Sequence, residues 1–592
     1  MLPRVRASDP RVRRIFFVRV IRTVAAALAV LVAAFGFWQG AAGTSRLASP
    51  VAASSWRPEH AVVRGAFHVH TRRSDGAGSV ADVAAAGAQA GLDFVVVTDH
   101  GDGMRAPDPP AYHHGVLAID AVEISTTGGH YVALGLPAAP YPLGGDPRGL
   151  VEDVARLGGF GVVAHPASPK RSQAWTDWSL PVDAVEWINA DSEWRDEHGF
   201  RLMTAAASYF WRGSESIVAL FDRPANVLSR FDRLAMRRRV LAFAGHDAHG
   251  RVAFGRHGQA IRDWAGAPLP SYESVFGTFS LHVELDEAPS GEPRADAQRI
   301  LGAIRAGRFF TAVDALASPV HFDLHGEGAG RRISMGGALW EEGEEPADRE
   351  TASARIRARV AGPAGATLVL LRNGQEIASS SSGEIERVVP FEDAVHRVEV
   401  RIPGAPGSPP TPWIVSNPIW TRTPRPDARP ERPREVIARG ADDAATWHVE
   451  SDGESRVRFD VAPKAGGPAI AFHYGLAAGA RRGQWAALLG DTGDVRGATY
   501  VSLRVRASAP SRLWVQLRPA WPDPRRWRHS LYADEMPRDV VLPLSEWMPF
   551  PAEDGAPPTG DDVGQIAFVV DTTNTPPGTS RGFVVDEVAF VR

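Results

Sequence analysis

The chain has 592 residues, of which 44% are hydrophobic and 23% charged, a composition ordinary for folded domains and a length sufficient for several of them. Its formal net charge of −4 gives no electrostatic case for nucleic-acid binding, so no nucleic-acid partner is expected. The absence of cysteine excludes disulfides, thiolate metal ligands, a cysteine nucleophile and a lipidated N-terminal cysteine.

Residues 1–43 have the pattern of an export signal. Seven arginines precede an apolar run from Thr23 to Trp38, and small residues follow that run. The pair Arg13-Arg14 also resembles a twin-arginine signal, so the sequence leaves open Sec and twin-arginine export. The length of the run is compatible with a cleaved signal peptide or an uncleaved membrane anchor. In both forms the arginines stay on the cytoplasmic side of the membrane, so the rest of the chain is predicted to be periplasmic or extracellular. If the segment is retained, it anchors the protein to the inner membrane.

Residues 60–316 alternate short apolar runs with helical patterns. Ser79 is placed to cap a first helix that stops at Gly91. The run Phe94–Val97 is apolar on both faces, as in a parallel sheet covered by helices. This alternation predicts an α/β barrel or a doubly wound sheet, and seven strands with ligand-type residues at their ends favour the barrel. The predicted strands are 65–70, 93–100, 117–125, 130–136, 161–165, 184–189 and 240–247.

Histidines and carboxylates lie at the ends of these predicted strands. His68 and His70 are two residues apart, so on a strand both imidazoles point to the same side and can bind one ion. Nitrogen and oxygen ligands without thiolate suit zinc, manganese or iron. The pattern predicts two or three divalent ions, a type of site that usually hydrolyses phosphate esters or amides. The other histidines and carboxylates at these strand ends are Asp75, Asp99, His100, Glu123, His130, His165, His246, Asp247 and His249.

These motifs resemble the PHP family, named for its polymerase and histidinol phosphatase members, over about residues 60–315. In the last motif His246 stands where the family has serine, and at position 75 Asp replaces the His of some members. The motifs that carry the resemblance are His68-Val69-His70, Ser74-Asp75-Gly76, Thr98-Asp99-His100, Val122-Glu123 with His130, Ala164-His165-Pro166 and Gly245-His246-Asp247-Ala248-His249.

The resemblance implies a distorted seven-stranded barrel with three neighbouring metal ions. Glu123 would bridge the first two ions, where a bridging hydroxide would act as the nucleophile. Asp247 or His249 would relay a proton to the leaving oxygen. By analogy the first ion is held by His68, His70, Glu123 and Asp247, the second by Glu123, His130 and His165, and the third by Asp75, His100 and His249.

Phosphate also needs positive side chains, and two follow the ligand strands. Lys170 comes after the Ala-His-Pro turn, and Arg256 comes after the last ligand strand. We expect both to contact a small phosphorylated substrate; a solvated loop charge is the alternative for each. Between these positions, residues 192–239 are helical in pattern and rich in aromatic side chains. They are expected to pack on the barrel, and a substrate-binding lid is the alternative.

The remainder of the chain is predicted to be all β. Short alternating strands and an Asn373-Gly374 hairpin signal predict a β-sandwich over residues 317–421. The segment 412–419 is similar to the β domain that follows PHP domains in some exported bacterial proteins. Residues 422–434 repeat proline and arginine and predict a stiff linker.

Residues 435–592 predict a jelly-roll domain that resembles carbohydrate-binding domains, so a glycan is a candidate partner. Asp571, Asn574 and Asp586 are alternative ligands for calcium. Several aromatic side chains are predicted either to stack on sugar faces or to pack in the core: Trp514, Trp521, Trp527, Tyr532 and Trp547.

The pattern as a whole predicts an exported metal-dependent phosphoesterase that acts on phosphomonoesters or small phosphodiesters. A metal-dependent amide or lactone hydrolase is the first alternative, because the same nucleophile attacks a carbonyl carbon. A non-catalytic, glycan-binding surface protein is the second. The complete ligand set argues against the second alternative.

Overall fold

The computed structural model describes residues 60–251, 269–318, 320–328, 330–346, 348–424, 435–439, 444–462, 469–479, 483–520, 522–550 and 555–592. The predicted export segment 1–43 and most of the linker 422–434 lie outside these residues and stay predictions. Within the described part of the chain, no helix has both the length and the apolar character needed to cross a membrane.

The described residues form a mixed α/β structure with many strands and few helices. Ser79 caps the first helix as predicted: its hydroxyl accepts from the Asp82 backbone N–H, and the Asp82 carboxylate accepts from the Ser79 N–H. The α-helices are α1 (Val80–Gln89), α2 (Pro147–Arg156), α3 (Ala190–Arg195), α4 (Gly199–Ser208), α5 (Gly213–Val218), α6 (Ala225–Ala235), α7 (Tyr272–Phe276) and α8 (Pro293–Arg305). Short 3-10 helices span Ala444–Thr446, Leu544–Glu546 and Gly560–Asp562.

The strands up to residue 312 include counterparts of all seven predicted ones, and the predicted strand 117–125 is divided into two. They are β1 (Ala61–Val69), β2 (Phe94–Val97), β3 (Ala111–His113), β4 (Val116–Asp120), β5 (Val122–Thr126), β6 (Gly129–Leu134), β7 (Phe160–Val163), β8 (Ala184–Asn189), β9 (Leu241–Gly245), β10 (Ser280–Leu285) and β11 (Phe309–Ala312).

The predicted regular alternation of strand and helix is wrong between β5 and β6. Only Thr127 and Gly128 separate these strands, which therefore form an antiparallel hairpin. Strand β6 pairs antiparallel with β7, whereas β7 runs parallel to the start of β8. Strand β1 is parallel to β2 and antiparallel to β10. Among the described residues, this pairing does not show a closed barrel of seven strands.

The region predicted as a β-sandwich continues the sheet of the preceding region. Strand β20 (Ile414–Ser416) pairs with β11. Asn417, directly after β20, donates to the Phe309 carbonyl of β11 and accepts from the Ala242 N–H of β9. Asn373 and Gly374 form the predicted hairpin turn, with φ of 53° and 80°. The strands are β12 (His321–Gly328), β13 (Arg331–Ser334), β14 (Ala338–Trp340), β15 (Ser353–Ala361), β16 (Thr367–Arg372), β17 (Gln375–Ser380), β18 (Glu384–Pro390), β19 (Val395–Arg401), β20 (Ile414–Ser416) and β21 (Ile419–Arg422).

The C-terminal region is all β, as predicted, with two six-stranded sheets around one apolar core. One sheet has the order β24-β25-β33-β27-β30, with β22 beside β33, and the other has the order β23-β26-β32-β28-β29-β31. The strands are β22 (Val436–Arg439), β23 (Trp447–Ser451), β24 (Arg456–Ala462), β25 (Ala469–Gly475), β26 (Trp485–Asp491), β27 (Tyr500–Ala507), β28 (Ser511–Arg518), β29 (Trp527–Ala533), β30 (Arg538–Pro543), β31 (Met548–Pro549), β32 (Gln565–Asp571) and β33 (Ser580–Val591).

The described residues divide into two compact units. The first contains residues 60–97, 110–119 and 186–424, and the second contains 98–109, 120–185 and 435–592. The second unit thus joins the C-terminal β region to the segment that carries β5, β6 and β7. The predicted domain boundaries stay predictions.

Glu284, on β10 of the first unit, gives the stability of the protein a predictable pH dependence. Burial and the nearby Asp323 charge raise its pKa from 4.5 to about 8, although Arg308 opposes them. The folded chain therefore keeps the proton over a range in which the unfolded chain has lost it, so this residue destabilises the fold as pH rises from about 4.5 to about 8.

Glu284→Gln cannot ionise and is expected to be more stable than the unsubstituted chain, with an advantage that grows by up to about 1.4 kcal/mol per pH unit over that range. Melting temperatures of both proteins at pH 5 and pH 8.5 measure this difference in stability. Glu287→Gln, at a side chain that is 77% exposed, is the control. An equal effect of Glu284→Gln at both pH values would contradict the assignment.

Candidate metal centre

Backbone hydrogen bonds align two of the predicted ligand motifs in the first unit. The His70 N–H donates to the Ala248 carbonyl over 2.9 Å, and the Ala248 N–H donates to the His68 carbonyl over 3.2 Å. His68 and Asp247 have φ of 66° and 48°, in the left-handed region that non-glycine residues rarely adopt. Such strained backbone clusters at functional sites, where the surrounding structure holds it. The end of β1 and the segment after β9 are therefore fixed beside each other.

This alignment brings two imidazoles onto one carboxylate oxygen. Asp247 Oδ1 lies 3.1 Å from His70 Nε2 and 3.5 Å from His68 Nε2, and all three side chains are buried. Their ligand atoms lie within 4.8 Å of one another. Burial of two imidazoles around a carboxylate, with only nitrogen and oxygen donors, fits a divalent transition metal such as zinc, manganese or iron.

Glu186, on β8, orients one of these rings and was missed by the sequence analysis. Its Oε1 lies 2.6 Å from His68 Nδ1, and Asn189 Nδ2 donates to its Oε2 over 2.8 Å. A carboxylate on the far ring nitrogen of a ligating histidine fixes the tautomer and leaves the other nitrogen for the metal. Gly245 makes room for it, because a Cβ there would approach Glu186 Oε1 to 2.0 Å. A lone acid inside the apolar run Ala184–Asn189 is the sequence signal that could have identified this residue.

Asp75 and His249 extend the same cluster. Asp75 Oδ2 lies 3.3 Å from His249 Nε2, and Asp75 Oδ1 lies 3.6 Å from His70 Nδ1. Burial alone would lower the pKa of His249, but the hydrogen bond with Asp75 and the charges of Asp247 and Asp75 raise it to about 9. In the absence of a cation this histidine is therefore charged at neutral pH, and cation binding there would displace a proton.

The second unit contains another cluster, centred on Glu123. Its Oε1 lies 2.8 Å from His130 Nδ1 and 2.9 Å from His165 Nε2, and its Oε2 lies 3.1 Å from His100 Nδ1. Glu123 is 1% exposed, and the ligand atoms of His100, Glu123 and His130 lie within 4.8 Å of one another. The β5–β6 hairpin positions Glu123 and His130 on neighbouring strands. This group also offers only nitrogen and oxygen donors and fits the same class of metal.

The nine predicted ligands thus fall into two clusters, each described within its own unit: His68, His70, Asp75, Asp247 and His249 in the first, and His100, Glu123, His130 and His165 in the second. Their assignment to particular ions stays a prediction, as do the catalytic roles of Glu123, Asp247 and His249.

The two predicted phosphate ligands differ in what the structure shows. Lys170 is exposed in the turn that follows His165, a position that suits a phosphate ligand or a solvated charge equally. Arg256 lies outside the described residues. Arg251, in the first unit, donates from Nε to the Asp75 carbonyl over 2.9 Å and so supports the loop that carries that ligand.

The C-terminal aromatic side chains are buried rather than free for sugar stacking, because all four described ones are at most 7% exposed. Trp527 and Trp547 belong to the core between the sheets, Trp514 belongs to a separate apolar cluster, and Tyr532 packs against Tyr141. Trp521 lies outside the described residues. The stacking alternative is therefore wrong for the four described aromatics. Asn574 is 4% exposed and its Nδ2 donates to the Pro142 carbonyl, a contact inside the second unit. The calcium alternative stays a prediction.

No protein-family model and no curated protein matches the sequence. Among solved structures, the chain is similar to a two-domain protein containing a predicted PHP-like metal-dependent phosphoesterase from Bacteroides vulgatus ATCC 8482, with 11% identity, 63% of this chain and 98% of that chain covered, and a TM-score of 0.28. It is also similar to the family 11 carbohydrate-binding module of the cellulase Lic26A-Cel5E of Clostridium thermocellum, with 15% identity, 26% and 93% coverage, and a TM-score of 0.21. Neither similarity assigns the chain to a family.

Proposed function

We propose that the protein is an exported PHP-type metal-dependent phosphoesterase that hydrolyses phosphomonoesters or small phosphodiesters. The observation that carries the proposal is the pair of buried imidazole–carboxylate clusters, around Asp247 and around Glu123. The seven-stranded barrel, the two or three metal ions and the periplasmic or extracellular location, with an N-terminal anchor if the signal is retained, belong to the same proposal.

Bound divalent ions would supply positive charge for the phosphate oxygens and lower the pKa of the attacking water. The residues of the chain do the positioning. Glu186 holds the His68 ring so that Nε2 faces Asp247. Glu123 presents both carboxylate oxygens to imidazoles and would hold bound ions together with His130 and His165. Asp247 or His249, whose side chains lie 3.7 Å apart, would pass a proton to the leaving oxygen.

The test combines metal analysis with two assays. Purified protein is expected to contain two or three zinc, manganese or iron ions per chain and to hydrolyse p-nitrophenyl phosphate or its bis ester. Asp247→Ala removes the carboxylate between His68 and His70 and is expected to lose bound metal and more than about 100-fold in kcat/KM. Asp286→Ala is the matched control, because this aspartate is 68% exposed in the same unit.

The other outcomes separate the alternatives. If the protein binds metal and hydrolyses an amide or a lactone but no phosphate ester, the metal-dependent amide or lactone hydrolase replaces the proposal. A protein that binds no metal and hydrolyses neither ester, yet is retarded by soluble polysaccharide in a native gel, would support the glycan-binding alternative. The proposed glycan site is a cavity of about 520 Å³ on the β25–β33–β27 face, bordered by His473, Arg506 and Arg581. This assignment is the same whether or not the protein is an enzyme.

A further inference from the structure

A cavity of about 290 Å³ in the first unit borders the metal cluster. Asp247, His249 and Arg251 contribute to its lining, so a molecule inside it would lie against two of the proposed metal ligands. Its volume is at the lower end of the range of small-molecule sites, which suits a short alkyl chain or a single aromatic ring.

The other walls of this cavity are apolar. Helices α3 to α5 and the residues that connect and follow them supply Trp194, Leu202, Tyr209, Ile217 and Leu220. Ile217 and Leu220 are almost fully buried, whereas Trp194 and Tyr209 are half-buried and face the cavity. An apolar cavity beside a few convergent polar groups is the usual form of a small-molecule site.

The Asp191 and Tyr209 polar groups of this wall already have hydrogen-bond partners within the protein. The Asp191 carboxylate accepts from Trp194 Nε1 over 3.0 Å and from Arg195 Nε. The Tyr209 hydroxyl donates to Ser274 Oγ over 3.0 Å and accepts from the Ser271 N–H over 2.8 Å. The wall therefore offers an occupant mainly hydrocarbon surface, and burial of apolar groups is its main contribution to binding.

The apolar lining continues onto the surface. Phe210 lines the cavity and is 74% exposed. An exposed apolar side chain at the edge of a cavity marks a place where an apolar ligand or partner docks.

We propose that this cavity binds the apolar alcohol portion of the substrate, so that the enzyme prefers phosphate esters of alkyl or aryl alcohols to those of small polar alcohols. The inference rests on the proposed function, because Asp247 and His249 at the cavity are its proposed catalytic and metal-binding groups. It extends that function by naming the substrate class. The aromatic segment 192–239 then contributes to substrate binding as well as to packing.

A series of methyl, butyl and hexyl phosphates, each below its micelle concentration, tests the preference with the metal-loaded full chain. We expect KM to fall by about threefold to fourfold for each added methylene until the cavity is filled, because each buried methylene contributes about that factor. Binding of methyl-, butyl- and hexylphosphonate, measured by calorimetry, follows the same order without hydrolysis.

Ala206→Trp is the decisive variant. Ala206 lines the cavity from an exposed position on α4, so a larger side chain fills the cavity without entering the core. We expect it to remove the advantage of hexyl over methyl phosphate. Met203→Trp, on the same helix but outside the lining, is the control, and Ala206→Phe replaces the variant if the tryptophan does not fold.

The outcomes separate this inference from the proposed function. If longer phosphonates bind more tightly and Ala206→Trp abolishes this preference, the cavity assignment is supported even when no ester is hydrolysed. Absence of ester hydrolysis would overturn only the proposed phosphoesterase activity. Hydrolysis with equal KM for methyl and hexyl phosphate, or a preference that Ala206→Trp leaves intact, overturns the inference. Failure of every phosphonate to bind overturns it as well.

Discussion

Replacing Glu123 with glutamine is expected to lower phosphate-ester hydrolysis by more than about 100-fold and to reduce the metal content of the protein. Glu123 is 1% exposed and its two oxygens lie 2.8–3.1 Å from His100, His130 and His165. Glutamine has nearly the same shape but no negative charge, and its NH₂ group repels a cation where an oxygen would bind one. The loss therefore reports on charge and ligation rather than on volume.

Metal content per chain and kcat/KM, measured on the same sample, check this expectation. Glu535→Gln, at an exposed position of the same unit, makes the same chemical change away from the cluster and should leave both quantities unchanged. Retention of metal with kcat/KM within twofold of the unsubstituted protein would show that Glu123 is a structural carboxylate. The assignment of a bridging role would then fail.

Replacing Arg512 with alanine is expected to destabilise the second unit by about 3–5 kcal/mol. Arg512 is 3% exposed, and its guanidinium donates to both oxygens of Asp153, over 2.7 and 2.8 Å, and to Glu152 over 2.9 Å. Burial disfavours its charge, but Asp153 and Glu152 hold its pKa above the ordinary value. Alanine would leave Asp153, which is 1% exposed, as a buried charge that has lost its main partner.

This pair joins the C-terminal β region to helix α2, which connects β6, the strand that carries His130, to β7, the strand that ends shortly before His165. Gly149 permits the close approach, because a Cβ there would lie 2.8 Å from Ser530 Oγ. Arg512→Ala is therefore expected to lower metal retention as well as stability. This coupling gives the C-terminal region a role in supporting the metal-binding segment.

Calorimetric unfolding, with the melting temperature of each transition, measures the effect of Arg512→Ala. Arg538→Ala removes an exposed arginine of the same unit and should change stability by less than about 1 kcal/mol. The double variant Arg512→Met with Asp153→Leu removes both charges and should recover most of the loss, because it leaves no buried carboxylate without its arginine. An unchanged transition in Arg512→Ala would contradict the importance of the pair.

The sequence by itself determined those features that depend on neighbouring residues. The Ser79 cap, the apolar run of β2 and the Asn373-Gly374 turn follow from local backbone preferences, and the structure has each of them. The spacing of His68 and His70 and the placement of carboxylates at strand ends were sufficient to identify the candidate ligands. These signals are readable because capping, alternation and turn geometry act over a few residues.

Only the tertiary structure decided which of these residues meet and what surrounds them. Glu186 is 118 positions from His68 in sequence, and Arg512 is 359 positions from Asp153, so no local sequence pattern predicts that either pair is in contact. The burial of Trp514 and Trp547 and the apolar cavity beside Asp247 likewise depend on packing between distant segments. Burial and pairing are properties of the folded neighbourhood, and that neighbourhood is set by contacts that sequence spacing does not encode.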